Sequence, residues 1–360
     1  MHKEEFQLLP KKTIVEILKS GVVIPALPLP LDSGRRLDEQ GERLLLRYYL
    51  DCGVGGIAAA VHTTQFEIRE ERYGLFEPVL RIASEEVEAY RRKSGRQVLK
   101  ISGICGKKEQ AVREAECAAS LGYDAVLLSP GGLSDLDEDA LIDRTEAVAG
   151  VLPVIGFYLQ ESVGGRRLSY DYWSRLCGVE SVVAVKSAPF NRYQTLDVVR
   201  AAALSPRSEE IALYTGNDDN IVVDLLTEYS FQKDGKTYQK GFSGGLLGHW
   251  SVWTRKAVEL LEWTKQAKQS GNIPAELLTR AAQVTDSNAA FFDTANGFKG
   301  CIAGIHEALR RQGLMKGIWC LNPEETLSPG QAEEITRVWE MYPHLNDDAF
   351  VAEGLRRWKE

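Results

Sequence analysis

The chain has 360 residues, of which 44% are hydrophobic and 26% charged, a globular balance that excludes an extended disordered protein. Its 43 basic and 51 acidic residues leave a net charge of -8, which argues against nucleic acid as a partner, because phosphate binding needs a basic face. No run approaches the roughly 20 apolar residues of a membrane span, so no membrane partner is expected.

The N-terminus, MHKEEFQLLPKK, lacks the apolar h-region of a secretory signal, and the cytoplasm is the expected compartment. The first strand is predicted at Val22–Leu27; Pro25, Pro28 and Pro30 stand where a dinucleotide fold would carry its glycine-rich phosphate loop. Leu44, Leu45 and Tyr48 give helical spacing over 40–50, ahead of a strand at Ile57–Val61 and the segment VHTTQ at 61–65. A strand at Val98–Ile101 precedes a helix over 109–121 carrying Ala111, Ala115, Ala118 and Ala119. After the strand Ala125–Leu128, Ser134 with Asp137 three residues later resembles a capping arrangement for a helix with Leu141 and Val148.

Strands follow at Val154–Tyr158, Val182–Val185 and Ile211–Tyr214. The polar stretch 231–240, with its Asp234-Gly235 pair, predicts a surface hairpin inserted before the eighth strand, Phe242–Leu246. SGNIP at 270–274 reads as a break. Helices are then predicted around 274–284, 287–312, 330–342 and 347–359, with no strand partners. Eight strand–helix units predict an α/β protein: a (β/α)8 TIM barrel over 1–270 with an appended C-terminal helical region over 271–360. The six cysteines show no CxxC pair, so they read as free core thiols and indicate neither a zinc ribbon nor a dithiol site.

Reactive side chains of such a barrel gather where strands end. Strand six reads SVVAVK and stops at Lys186; strand five reads VIGFY and stops at Tyr158, 28 residues earlier. Consecutive parallel strands lie side by side, which would bring the two ends together. Alternation puts Ala184 and Val182 on the face of Lys186, and an amine among apolar walls loses its proton more readily and becomes a nucleophile. The alternatives are a lysine reaching to solvent and a tyrosine packed in the core. Thr63 and Thr64 offer hydroxyls to a carboxylate or close a local turn. His62 has no acidic or histidine partner at metal-site spacing, so no metal is expected.

At these residues the sequence resembles the dihydrodipicolinate synthase / N-acetylneuraminate lyase family of class I aldolases. The likeness runs through IPALPLPLDSGRRLD, GVGGIAAAVHTT, VIGFY, VVAVKSAP, YTGNDD, KGFSGG and GLMKGIWCLNPEETLSP. It implies that Lys186 forms an imine with pyruvate or another 2-oxo acid, without a cofactor, and that Tyr158 shuttles protons. It further implies substrate binding by Thr63 and Thr64, with His62 in the alternative register, and by Gly216 and Ser243 in the YTGNDD and KGFSGG stretches. A dimer or tetramer is implied as well.

The departures are specific. Pro130-Gly131-Gly132 replaces the Pro-Tyr-Tyr stretch of the synthases, and Leu159 and Val163 stand where they carry Asn and a carboxylate-binding Arg. Authentic dihydrodipicolinate synthesis is therefore not expected, and a lyase, aldolase or dehydratase for another 2-oxo acid is. A non-catalytic sugar-acid binding barrel and a metal-dependent aldolase using His62 and Asp218 are the competing readings.

Overall fold

The protein is described from a computed structural model covering residues 8–359; the first seven residues, on which the reading of the N-terminus partly rests, lie outside the described residues. Among the described residues ten strands occur: β1 (Val23–Pro25), β2 (Gly56–Ala59), β3 (Leu99–Ile104), β4 (Ala125–Leu128), β5 (Val154–Leu159), β6 (Val182–Ala188), β7 (Ala212–Thr215), β8 (Glu228–Lys233), β9 (Lys236–Gly241) and β10 (Gly244–Leu247). Eight belong to one sheet, and β8 and β9 form the hairpin expected around Asp234-Gly235, both with positive φ. Parallel strands alternating with helices give the expected (β/α)8 barrel with further C-terminal helices. Among the described residues no helix is long and apolar enough to cross a membrane.

The chain divides into two compact units, each drawn from two stretches of sequence. The first comprises Met1–Val22 and Leu99–Leu246, the second Val23–Val98 and Leu247–Glu360.

In the first unit, neighbouring strands from β3 through β7 pair in parallel, and β10 pairs with β7. Their β-branched residues are buried along the whole of β4 and β5, which suits strands covered on both faces. Helix Lys108–Ser120 turns Ala111, Ala115 and Ala118 inward, small residues that allow close approach. Helix Glu138–Ala149 is capped by Asp137, whose carboxylate accepts the Ala140 amide at 2.8 Å; the expected cap Ser134 lies outside it. An N-terminal helix that sequence reading missed, Lys11–Ser20, buries Ile14 and Leu18.

In the second unit, β1 and β2 meet through a parallel bridge, Ala26 to Ala58. Helices Glu39–Cys52, Phe76–Ser94 and Thr254–Ser270 are joined by Ala275–Phe291, Cys301–Arg311, Gln331–Met341 and Asp348–Lys359. The single helix expected over 287–312 is in fact broken after Phe291. Asp293, Gly297 and Phe298 adopt positive φ there, and the Asp293 carboxylate receives the Gly300 amide at 3.0 Å, the Asn296 amide group at 2.6 Å and the Ser328 hydroxyl. A short acid satisfying several donors at once stabilises the break against helix continuation.

Candidate active site

Lys186 sits inside β6, because that strand continues to Ala188 instead of stopping at Val185. Its ammonium lies over the Phe157 ring, 4.4 Å from the centroid. On its other side is Gly216, just past the end of β7: a Cβ there would come within 2.6 Å of Lys186 Cε and 2.7 Å of Ala188 Cβ. Only glycine leaves room for the lysine stem at this position. Desolvation pulls the ammonium down to about 8 from its ordinary 10.5, with the nearby Asp218 carboxylate acting in the opposite sense. The residue keeps partial access to solvent.

The expected pairing of Lys186 with Tyr158 is corrected by the register of the two strands. Val154 pairs with Val182, but Ile155 pairs with Ala184, so β6 carries one extra residue at Val183. Equal counting would have set Tyr158 beside Lys186; after the shift Phe157 takes that place and Tyr158 pairs with Ser187. A one-residue slip moves a side chain to the opposite face of a sheet. Tyr158 accordingly points with Gly156 toward helix Tyr170–Leu176, where a Cβ on Gly156 would strike Leu176. Its ring packs on Trp173 at 4.9 Å, its hydroxyl accepts the Leu168 amide at 3.3 Å, and burial raises its pKa.

The loop after β7 is held by a buried carboxylate. Asp224, fully buried, accepts the Thr215 hydroxyl at 2.7 Å, both the Asn217 and Asn220 amide groups at 2.9 Å, and the Arg192 guanidinium. The Gly216 amide donates to Ser187 O at 2.8 Å and the Phe190 amide to Asn217 Oδ1 at 3.1 Å, which ties this loop to the segment following Lys186. Gly216 is thus brought to Lys186. Ser243 is not: Lys186, Tyr214 and Gly244 share one register level, and Ser243 precedes it, donating its amide to Leu213 O at 2.9 Å ahead of β10.

In the second unit His62, Thr63 and Thr64 form one 3-10 turn following β2. Both threonines are buried and both hydroxyls donate to Leu27 O, at 3.1 and 2.6 Å, while Thr64 Oγ1 also accepts the Val61 amide at 3.2 Å. The turn is entered through Ala60 and left through Gln65, both at positive φ. The His62 ring lies 5.9 Å from that of Phe66. Among the described residues no three His, Cys, Asp or Glu side chains are grouped as a metal site requires.

No family model matches the chain. It is 27% identical over 213 residues to an N-acetylneuraminate lyase of Citrobacter koseri, and 26% identical over 214 residues to a 4-hydroxy-tetrahydrodipicolinate synthase of Moorella thermoacetica. Each alignment covers 57% of this chain and spans just under two thirds of the relative, 65% and 66%. The crystal structure of dihydrodipicolinate synthase from Oceanobacillus iheyensis superposes with a TM-score of 0.74 at 17% identity, covering 93% of this chain and all of that one. The chain is thus similar to members of the dihydrodipicolinate synthase / N-acetylneuraminate lyase family and shares their fold.

Of the residues singled out in the sequence, the structure brings Lys186 and Gly216 together; Phe157 and the network around Asp224 were not among them. The spacing of Thr215, Asn217, Asn220 and Asp224 offered a usable signal, since polar residues flanking a short helical turn commonly close on one another. Phe157 carried none, because its place depends on the register shift.

Proposed function

We propose that the chain is a class I lyase that forms a Schiff base between Lys186 Nζ and the keto carbon of pyruvate or a related 2-oxo acid. The observation that carries this reading is the desolvated amine on β6, held between the Phe157 ring and the side-chain-free Gly216. Loss of hydration disfavours the ammonium and raises the fraction of neutral amine near neutral pH. Attack on the ketone and loss of water give a protonated imine, an electron sink that permits making or breaking of the adjacent carbon–carbon bond or elimination of water.

Pro130-Gly131-Gly132 leaves no tyrosine at that loop, which supports a substrate other than that of the dihydrodipicolinate synthases. A small 2-oxo acid as sole ligand, the cytoplasm as compartment and a dimeric or tetrameric assembly belong to the same proposal.

The test is reductive trapping. Incubation with pyruvate and a panel of 2-oxo acids in the presence of cyanoborohydride should leave an adduct on Lys186, located by mass spectrometry, and none in Lys186→Ala. An adduct on other lysines alone, or no adduct with any member of the panel, refutes the assignment.

A further inference from the structure

A cavity of about 220 Å³ opens in the second unit, lined by one face of helix Thr254–Ser270 and one face of helix Ala275–Phe291. The first face presents Lys256, Leu260 and Trp263, spaced four and three residues apart, with Trp253 at the N-cap; the second presents Arg280 and Val284, one turn apart. Trp253 holds a φ of 54°, a conformation costly for an aromatic residue, and is fixed there by edge contacts with Phe291 and Trp339, 5.0 and 5.1 Å between ring centroids. Backbone strain of this kind gathers at ligand sites.

Two buried donors of these walls meet no acceptor among the described residues: the Trp253 indole Nε1 and the Arg280 guanidinium Nε. Arg280 lies over the Trp263 ring, 6.0 Å from the centroid, and its ion-pair partner is the exposed Glu276, 3.8 Å away and too far for a hydrogen bond. Desolvation pulls its pKa below the usual arginine range, with Glu276 opposing. The other charges of the wall cancel, since Lys256 pairs with Glu259 at 2.8 Å. Desolvation holds the two histidines of the wall, His249 and His344, below their ordinary 6.5, so they are uncharged at neutral pH and one positive charge is left over.

We propose that this cavity binds a small monocarboxylate built on one aromatic ring, with the ring against Trp253 and Trp263 and the carboxylate accepting from Arg280. An apolar cavity of about 150 Å³ accommodates benzene, so this one takes a single ring with a short acid arm. A guanidinium already stacked on an indole presents its planar fork to a carboxylate, and one leftover positive charge calls for one negative charge. A neutral aromatic compound leaves the cation uncompensated, and an inorganic anion leaves the rings without contacts. The site does not depend on the Schiff-base reading, because none of its residues belongs to the first unit, where Lys186 lies.

The probe is phenylacetate, followed through the tryptophan fluorescence of the full chain, with the neutral isostere phenylacetamide as comparison. The unaltered chain should bind phenylacetate saturably with a Kd of about 1 mM or below, within reach of a ligand of about ten non-hydrogen atoms, and phenylacetamide about 10-fold or more weakly, the scale of a hydrogen bond to a charged group. Arg280→Gln should erase that preference by losing affinity for phenylacetate alone. Val284→Phe, which places a ring in the cavity, should lose both ligands, and Lys186→Ala should bind as the unaltered chain does. Absence of saturable binding, equal binding of the two compounds by the unaltered chain, or a preference that survives in Arg280→Gln overturns the proposal. Loss of binding in Lys186→Ala overturns it too, because the acid then occupies the site of the lysine. If circular dichroism shows Arg280→Gln unfolded, Val284→Phe decides, and phenylacetate held there at the parental affinity places the acid outside this cavity.

Discussion

Glu42 stands in the apolar stripe of helix Glu39–Cys52, one or two turns from Leu45, Leu46 and Tyr49, and is fully buried with neither carboxyl oxygen hydrogen-bonded. Burial pushes its pKa well above the ordinary 4.5; the Arg43 charge opposes this and the Asp38 charge adds to it. The folded protein therefore holds a proton that the unfolded chain releases. Between about pH 4.5 and the raised folded value, stability falls as pH rises, by about 1.4 kcal/mol per unit, and the loss stops once the folded value is passed.

Independently of ionisation, a buried carboxyl with no partner costs about 1–3 kcal/mol. Glu42→Leu, similar in size, should thus gain about 1–3 kcal/mol at pH 4.5 and more with each unit above it. Glu42→Gln keeps an unpartnered polar group and should recover only the pH-dependent part. Urea unfolding at half-unit intervals from pH 4.5 to 8 measures both. Loss of stability in Glu42→Leu, or a constant offset between the unaltered chain and Glu42→Gln across that range, would show the carboxylate ionised and satisfied in the fold, and the reasoning would be wrong.

Gly216→Ala should abolish imine trapping and also lower the unfolding free energy by about 1–3 kcal/mol, since its Cβ displaces the lysine stem and also presses on the Ala188 Cβ, which cannot swing away; trapping at the parental rate would show that the stem has another course. Asp224→Ala should cost about 1–3 kcal/mol in urea unfolding, because it strands the buried Thr215 and Asn217 donors, while the part-exposed Asn220 and Arg192 can turn to water. The rate of adduct formation should climb as pH rises through about 8 and level off above it, since the neutral amine is the attacking species; a profile still rising steeply beyond pH 10 would place the lysine in ordinary solvent.

Much of the fold is legible in the residue pattern. Apolar β-branched runs alternating with amphipathic stretches mark the eight parallel strands, and Asp234-Gly235 marks the inserted hairpin, because these features depend on local periodicity and turn chemistry. The lysine strand is legible for the same reason: SVVAVK can hardly be anything but a buried strand with a cation near its end.

Other features depend on contacts that no local window contains. Helix Ala275–Phe291 stops where Asp293 gathers donors from Gly300 and from Ser328, a residue 35 positions away. Glu42 reads as a solvent-facing helix residue until the packing around it closes.

The decisive case is the neighbour of Lys186. Sequence alone determined that an amine and a phenol lie 28 residues apart on adjacent strands, whereas the tertiary structure decided which faces they occupy. One unpaired residue at Val183 reverses the parity of β6 relative to β5, bringing Phe157 to the amine and sending Tyr158 to Trp173. Side-chain direction in a sheet has a period of two, so a shift too small to alter the strand pattern is enough to exchange one face for the other.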